Sequence, residues 1–456
     1  MKKLTRRDFV KNSMAASIFA GLVARVEKSY SQIGYFAFFK KQSIAMTAET
    51  WICSFSNYGG SSYRSNACDA DGNIYVVGSV PVNGNDVCLT KLNKYGVLQW
   101  QRSLGSVTQT DYGYCVALDS VGNIYLGGMA FVGGNSDYLL IKYNSSGTFQ
   151  WYRTLGGAGG ESICSICIDA SNNILCVGAT GSAGAGSTDG FIVKYNSAGS
   201  VLWQYAYGGT AGDGFNCMAM SSTGNLYICG STSSKGAGGS DGLIAKFDSN
   251  FNVIWARTLG LSTTDMLKSV AVDSSENIVV VGETIVSSTT NMLIAKYNSS
   301  GALLWQRGFG GDGGTERCTS VAVDSFGDIY IAGYTEYVYL NNWDVIVAKF
   351  SADGVLQWQR AISTGSADML PTITIDLDGY MVISMSTGTV LRLPTDGSKT
   401  GTYGSLTYST TTFSATATSL TSTANTFTRT TTSLAPSSAT LADSSLSPTS
   451  TLIPVP

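Results

Sequence analysis

The sequence predicts an all-β fold, a seven-bladed β-propeller of four-stranded blades, and three observations carry the prediction. Tryptophan falls on a grid at Trp51, Trp100, Trp151, Trp203, Trp255, Trp305 and Trp358, with spacings of 49, 51, 52, 52, 50 and 53 residues, and only Trp343 lies off it. The segments between successive tryptophans recur once more after Trp358, making seven units. Each repeat holds four short runs of β-branched and aromatic residues bounded by turn residues. A unit of about 50 residues cannot bury both faces of its own sheet, whereas a ring of stacked neighbours can.

The elements follow in order. "SVAVDSSENIVVVG" (269–282) reads as strand, Asp-led turn, strand, and it recurs as "CVALDSVGNIYLGG" (115–128) and "SVAVDSFGDIYIAG" (320–333). The third strand is "DGLIAKF" (241–247), also written "SDYLLIKY" and "TDGFIVKY". A hairpin such as "NSSG" joins it to the tryptophan strand. By analogy with other propellers, the "SVAVD" strand lines the channel and the tryptophan strand lies outermost. The last unit ends at "TVLRLPTDG" (389–397) without a tryptophan, so "TWICSFS" (50–56) is expected to close the last blade, with "SKTGTYG" (398–404) as its competitor. Closure by the first strand ties the chain ends together and removes free edges.

The pattern "SDGLIAKF … GG … VDSFGDIYIAG" resembles the bacterial seven-bladed β-propeller repeat, SBBP, across residues 49–404. The resemblance implies the fold and names no activity.

Composition narrows the function. Charged residues make up 13% of the 456, and histidine is absent. The commonest general base and metal ligand is therefore missing, which excludes a Ser-His-Asp triad, a zincin motif and a His-ligated zinc. Residues 46–404 carry 18 basic against 28 acidic side chains, a net of −10. That balance argues against nucleic acid. Residues 1–24 read as an export signal: Arg6-Arg7, Phe9 and Lys11 precede the apolar "MAASIFAGLVA" (14–24) and resemble a twin-arginine signal. The apolar stretch is too short to span a bilayer. Residues 25–48 form a linker, and Met46 offers a second start. Residues 405–456 are Thr/Ser-rich, carry only Arg429 and Asp443 as charges, and place Phe413, Leu420, Phe427, Leu434 and Leu441 seven apart. A flexible, O-glycosylated stalk is expected there, with a repetitive fibre as the alternative.

Several residues stand out as candidates. The turns "DSVGN" and "NSSG" share one face, and the other bears second-to-third-strand loops of differing length, such as 79–86, 180–190 and 334–344. Variation on a regular scaffold marks a binding face. Tyr334, Tyr337, Tyr339 and Trp343 crowd one such loop, where aromatics stack on sugars, anchor partners or pack together. Eight residues before each turn position stand Asp111, Glu161, Asp213, Asp265, Glu316 and Asp368, with Ser61 in the first unit. These acids either accept backbone N–H bonds or ring the channel mouth as a site for Ca2+ or another cation. "DADGN" (69–73) and "DLDGY" (376–380) resemble calcium-loop fragments and read better as Asx-turns. A basic column at Lys91, Lys142, Lys194, Lys246, Lys296, Lys349 and Arg392 is expected to pair with the Asp column at 137, 189, 241 and 344 or to pack its stems. Of the ten cysteines, Cys115, Cys164, Cys167, Cys217 and Cys318 fall in or beside inner strands and read as small buried residues; a strand puts the two thiols of "CSIC" (164–167) on opposite faces and no second pair exists to complete a zinc site.

These features point to a non-catalytic, exported propeller, free of any cofactor and monomeric, that presents variable loops to a glycan, protein or cell-surface partner. Two alternatives stay open. One is a virion fibre or receptor-binding protein. The other is a quinoprotein-like enzyme, since "NSSGALLW" (298–305) is similar to the repeat of pyrroloquinoline-quinone dehydrogenases.

Overall fold

The computed structural model describes residues 49–55, 62–81, 84–106, 108–286, 289–310, 314–336, 343–403 and 405–411, and tail strands from 414 onward. They belong to one compact unit, 46–456. Seven antiparallel sheets carry the chain, and no helix occurs among the described residues. Blade 3 is typical, with strands Glu161–Ile168, Ile174–Thr180, Asp189–Tyr195 and Val201–Gly208 hydrogen-bonded in sequence order. Blades 1, 2, 4, 5 and 6 repeat it over 62–105, 112–155, 213–260, 265–310 and 316–363. Blade 7 runs Thr372–Ile375, Tyr380–Ser384, Thr389–Pro394 and then Trp51–Phe55. The expected closure is present, with Trp51 opposite Arg392 and Ser54 opposite Thr389.

The middle strands are buried on both faces, which explains their unbroken apolar runs. Ile329–Thr335 is buried at every residue, because a neighbouring blade covers each side. The core therefore lies between blades. Leu175, Val177 and Ile192 of blade 3 pack against Phe215, Ile228 and Leu243 of blade 4. Tyr330 and Val345 of blade 6 meet Ile373, Met381 and Ile52 of blade 7.

The tryptophan grid latches each blade to the next. Trp305 Nε1 donates to Ala352 O at 3.1 Å, and Arg307 Nε donates to Gly354 O at 3.2 Å. Both carbonyls belong to the third-to-fourth-strand hairpin of the next blade. The hairpin glycine has φ +74°, and a Cβ there would lie 2.8 Å from the Trp305 ring. Arg102 with Gly147, Arg153 with Gly199, Arg257 with Gly301 and Arg360 with Gly397 repeat the bond at 2.7–3.1 Å. The repeated "NSSG…WxR" wording is this contact.

The basic column finds partners at the other end of the blade from those expected. Lys194 pairs with Asp169 at 2.8 Å, Lys296 with Asp273 at 3.1 Å and Lys349 with Asp328 at 2.7 Å. Arg392 pairs with Asp376 at 2.6 Å and Asp378 at 2.9 Å. Asp189 and Lys194 sit five apart on one strand, hence on opposite faces and at opposite ends. The Asp-led turns are Asx-turns: Asp69 Oδ1 accepts from the N–H groups of Asp71 and Asn73, and Asp376 Oδ1 from those of Asp378 and Tyr380.

Where it is described, the tail runs as edge strands on the blades and not as a stalk. Leu406–Thr410, Ser414–Ala417, Thr421–Asn425 and Thr428–Thr431 add a fifth, antiparallel strand to blades 6, 5, 4 and 3. Ala442–Ser445 and Ser450–Pro454 do so on blades 1 and 7. The register is constant: Thr407 faces Ser363, Ser414 faces Gly310, Thr421 faces Gly260 and Thr428 faces Gly208. One blade is passed per seven residues. Seven extended residues reach about 23 Å, so the seven-residue repeat is the step between blades. The five apolar residues that announced it lie outside the described residues. The competitor segment contributes Gly401–Tyr403, paired with Leu406–Thr410 at the edge of blade 6.

Candidate functional site

A β-bulge in six of the seven inner strands builds an axial site. The register breaks between Tyr63 and Ser65, Gly113 and Cys115, Ile163 and Ser165, Phe215 and Cys217, Leu267 and Ser269, and Cys318 and Ser320. A glycine in the second strand of these six blades permits this. A Cβ on Gly78, Gly128, Gly178, Gly230 or Gly282 would lie 1.8–1.9 Å from a carbonyl of the bulging strand. The repeated glycine thus fixes a bulge in the blade while leaving the bulged residue free to differ.

The bulged residues are Arg64, Tyr114, Cys164, Asn216, Lys268 and Thr319, one from each of six blades. They line a single cavity of about 400 Å³ with Leu370, Pro371 and Thr372 of blade 7 and with Glu283, Arg317, Cys318 and Tyr334. These last side chains stand at strand ends on the face that carries the second-to-third-strand loops.

The lining is charged and mostly braced. Glu283 lies between two cations, 3.8 Å from Lys268 Nζ and 3.1 Å from Arg317 Nε. The guanidinium carbon of Arg64 sits 5.2 Å from the centre of the Tyr114 ring. Arg64 Nε is buried without a hydrogen-bond partner among the described residues. Burial pushes the Tyr114 phenol up to about 12, against the pull of Arg64. Burial also raises the Cys164 thiol, so it stays protonated at neutral pH.

Of the four candidate aromatics, Tyr334 lines the cavity, and Trp343 packs edge-on against it at 5.2 Å. Tyr337 and Tyr339 lie outside the described residues. The six periodic acids are buried at the blade junctions. Asp111 Oδ2 accepts the Ser106 N–H at 2.7 Å, Glu161 that of Gly157 at 3.1 Å, and Asp213 that of Gly209 at 2.8 Å. Asp265 accepts from Leu261 at 2.9 Å and Asp368 from Thr364 at 2.9 Å. Glu316 is fully buried at the equivalent place, and Ser61 lies outside the described residues. Among the described residues, no group of three or more Cys, Asp or Glu side chains is close enough to hold a metal ion.

A second acid column backs this one. A Cβ on Gly208 would meet Asp189 Oδ1 at 1.7 Å and Asp213 Oδ2 at 2.9 Å, and one on Gly260 would meet Asp241 and Asp265 in the same way. Burial raises Asp86 to about 6, with Asp111 adding repulsion, and burial also raises Asp111, Asp189, Asp241 and Asp368.

Repetition in the sequence pointed to these acids and not to the cavity. Arg64, Tyr114, Asn216 and Lys268 were missed, although each stands three residues after the periodic-acid position, in an inner-strand column where residue types differ blade by blade.

Residues 305–336 match the family model described as beta-propeller repeat, SBBP. The regulatory protein FlaEY of Caulobacter vibrioides is 25% identical over 171 residues, covering 32% of this chain and 18% of that protein. A virginiamycin B lyase from Staphylococcus aureus matches 75% of this chain and 98% of its own at 11% identity and a TM-score of 0.43. Drosophila Plexin A, solved with Semaphorin 1b, matches 75% of this chain and 86% of its own at 11% identity and 0.44. A glucose dehydrogenase matches 75% and 99% at 10% identity and 0.39. No helix among the described residues is long and apolar enough to cross a membrane.

Proposed function

We propose that this chain is a non-catalytic binding propeller whose axial cavity takes a ligand group from the face bearing the variable loops. One observation carries the reading. Six equivalent bulge positions hold six different residue types, and all six side chains line one cavity. A scaffold that repeats its glycines, acids and tryptophans has no structural need for that variety. It suits recognition, in which a few placed polar groups orient a ligand against apolar walls. The protonated Cys164 thiol and the carboxylate bracing of Lys268 and Arg317 fit binding better than nucleophilic chemistry.

The setting we propose is outside the cytoplasm, after removal of the twin-arginine-like segment 1–24, with a glycan or protein as the partner. Two measurements test the reading. Binding to an array of immobilised glycans is compared between wild type and Tyr114→Ala, with melting temperature as the folding control. A binder found on the array is expected to be lost with Tyr114→Ala; its full retention would remove the cavity from the function. Intact mass of protein from its native source is expected to correspond to cleavage near residue 24. An uncleaved Met1 or a Met46 start would overturn export and leave the cavity reading standing.

A further inference from the structure

We propose that the axial cavity is an oxyanion site, for a carboxylate or sulfate group carried by a ligand of saccharide size, held between Arg64 on one wall and Lys268 with Arg317 on the other. This assignment rests on the cavity being the binding site.

The charge balance of the lining is the first argument. Three cations and one carboxylate, Glu283, face the cavity. This excess stands in a propeller body whose net charge is −10. A cavity with low-dielectric walls focuses such an excess and concentrates anions at its mouth.

Arg64 supplies the second. Its guanidinium lies against the Tyr114 ring, which pre-orients the planar fork. Its Nε is buried and has no hydrogen-bond partner among the described residues, and leaving such a donor unpaired is costly. An oxyanion accepting from Nε and a neighbouring Nη would relieve that cost with two charge-assisted bonds. A neutral hydroxyl would satisfy only part of it, and a cation none.

The opposite wall is adjustable. Lys268 and Arg317 are 36% and 45% exposed at their side chains and share Glu283, which is only 10% exposed. Glu283 therefore holds both cations at the cavity and competes with an entering anion. The volume of about 400 Å³ is at the lower end of the range for small-ligand pockets, which suits one or two sugar rings. The Tyr114 and Tyr334 side chains offer them apolar surface.

Calorimetric titration of the whole chain at constant ionic strength tests this, with sulfate, acetate, glucuronate and glucose as probes. Glucuronate is expected to bind and glucose to bind far more weakly. Arg64→Gln is expected to weaken glucuronate by about tenfold or more, the equivalent of a charge-assisted hydrogen-bond pair. Glu283→Gln is expected to tighten it, which a merely structural role for Glu283 does not produce. Lys399→Gln, an exposed lysine beyond the third strand of blade 7 and away from the variable-loop face, is expected to change nothing. Sulfate or acetate binding as tightly as glucuronate would identify a free-anion site and overturn the saccharide part. Glucose binding equal to glucuronate and insensitive to Arg64→Gln, yet lost with Tyr114→Ala, would overturn the oxyanion and leave the cavity reading intact. Silence from every probe, in a protein whose array binding is unaffected by Tyr114→Ala, would overturn both.

Discussion

Two glycines separate the latch from ordinary turn strain. Gly354 and Gly379 have φ of +74° and +82°, so alanine meets the same left-handed backbone penalty at either site. At Gly379 the added Cβ finds open space, whereas at Gly354 it lies 2.8 Å from the Trp305 indole. Gly379→Ala is expected to cost about 1 kcal/mol and Gly354→Ala about 2–4 kcal/mol, because the indole must move and the Arg307 bond with it. Urea unfolding of both variants measures the difference, and equal costs would show that the latch contributes nothing. One junction departs from the pattern in a coupled way. Phe251 stands where the hairpin glycine belongs, at φ +61°, and its ring centre is 4.0 Å from that of Trp203. Tyr205 replaces the latch arginine, and the Tyr207 hydroxyl donates to Phe251 O at 2.6 Å. The tryptophan grid was legible in the sequence because packing demands the same residue at every junction. Arg64 and Lys268 were not, because a binding site is made by what a repeat does not repeat, and a search for recurrence passes over it.

At the scale of the element, the outer strands are the exposed hazard of any propeller. Their free N–H and C=O groups invite pairing with another chain. Here, among the described residues, tail strands cover six of the seven, at one register and one blade per seven residues. Its Thr-rich, nearly charge-free composition suits that role, since β-branched residues fit an edge strand. The same composition misled the sequence reading toward a stalk, because low charge and Ser/Thr content mark both states, and a strand paired to distant edges has no local partner to betray it. Truncation after residue 404 is expected to leave the four-stranded blades folded, lower the melting temperature and promote concentration-dependent association. Melting curves and sedimentation of the truncated and full chains test this. A truncated protein that melts and sediments like the full chain would show that the tail strands contribute nothing. Because edge pairing is mainly backbone hydrogen bonding, replacing single tail threonines with serine is expected to change little.

For the whole molecule, a ring is only as stable as its seam and its junctions. The seam is Trp51–Phe55, whose Trp51 is fully buried and donates to Lys94 O across the gap to blade 1 at 3.0 Å. Trp51→Ala is expected to cost about 3–5 kcal/mol, as for a large buried aromatic, with cooperative loss of the whole ring in urea. Noncooperative loss of one blade would count against closure. The junctions carry buried carboxylates, and these set the pH response. With no histidine in the chain, acids dominate titration between pH 4 and 7. Asp86 is raised to about 6, and Asp111, Asp189, Asp241 and Asp368 are raised from the ordinary 3.8, all chiefly by burial. The folded protein therefore binds these protons more tightly than the unfolded chain does. The stability they contribute is fully present below about 4 and is lost as pH rises through their raised values, which for Asp86 means through about 6. Asp169 and Asp273 act in the opposite sense. Hydrogen bonds and their lysine partners hold them below 3.8, so their contribution is present above that value and lost as pH falls further. The melting temperature is expected to rise on acidification from pH 7 to 5 and to turn down only below about 4. In Asp86→Asn the rise between 7 and 5 is expected to shrink, because the group with the highest raised value no longer titrates. A melting temperature that falls steadily from pH 7 to 5 in the wild type would mean the junction carboxylates are stabilised as anions, and would point to a cation between the blades.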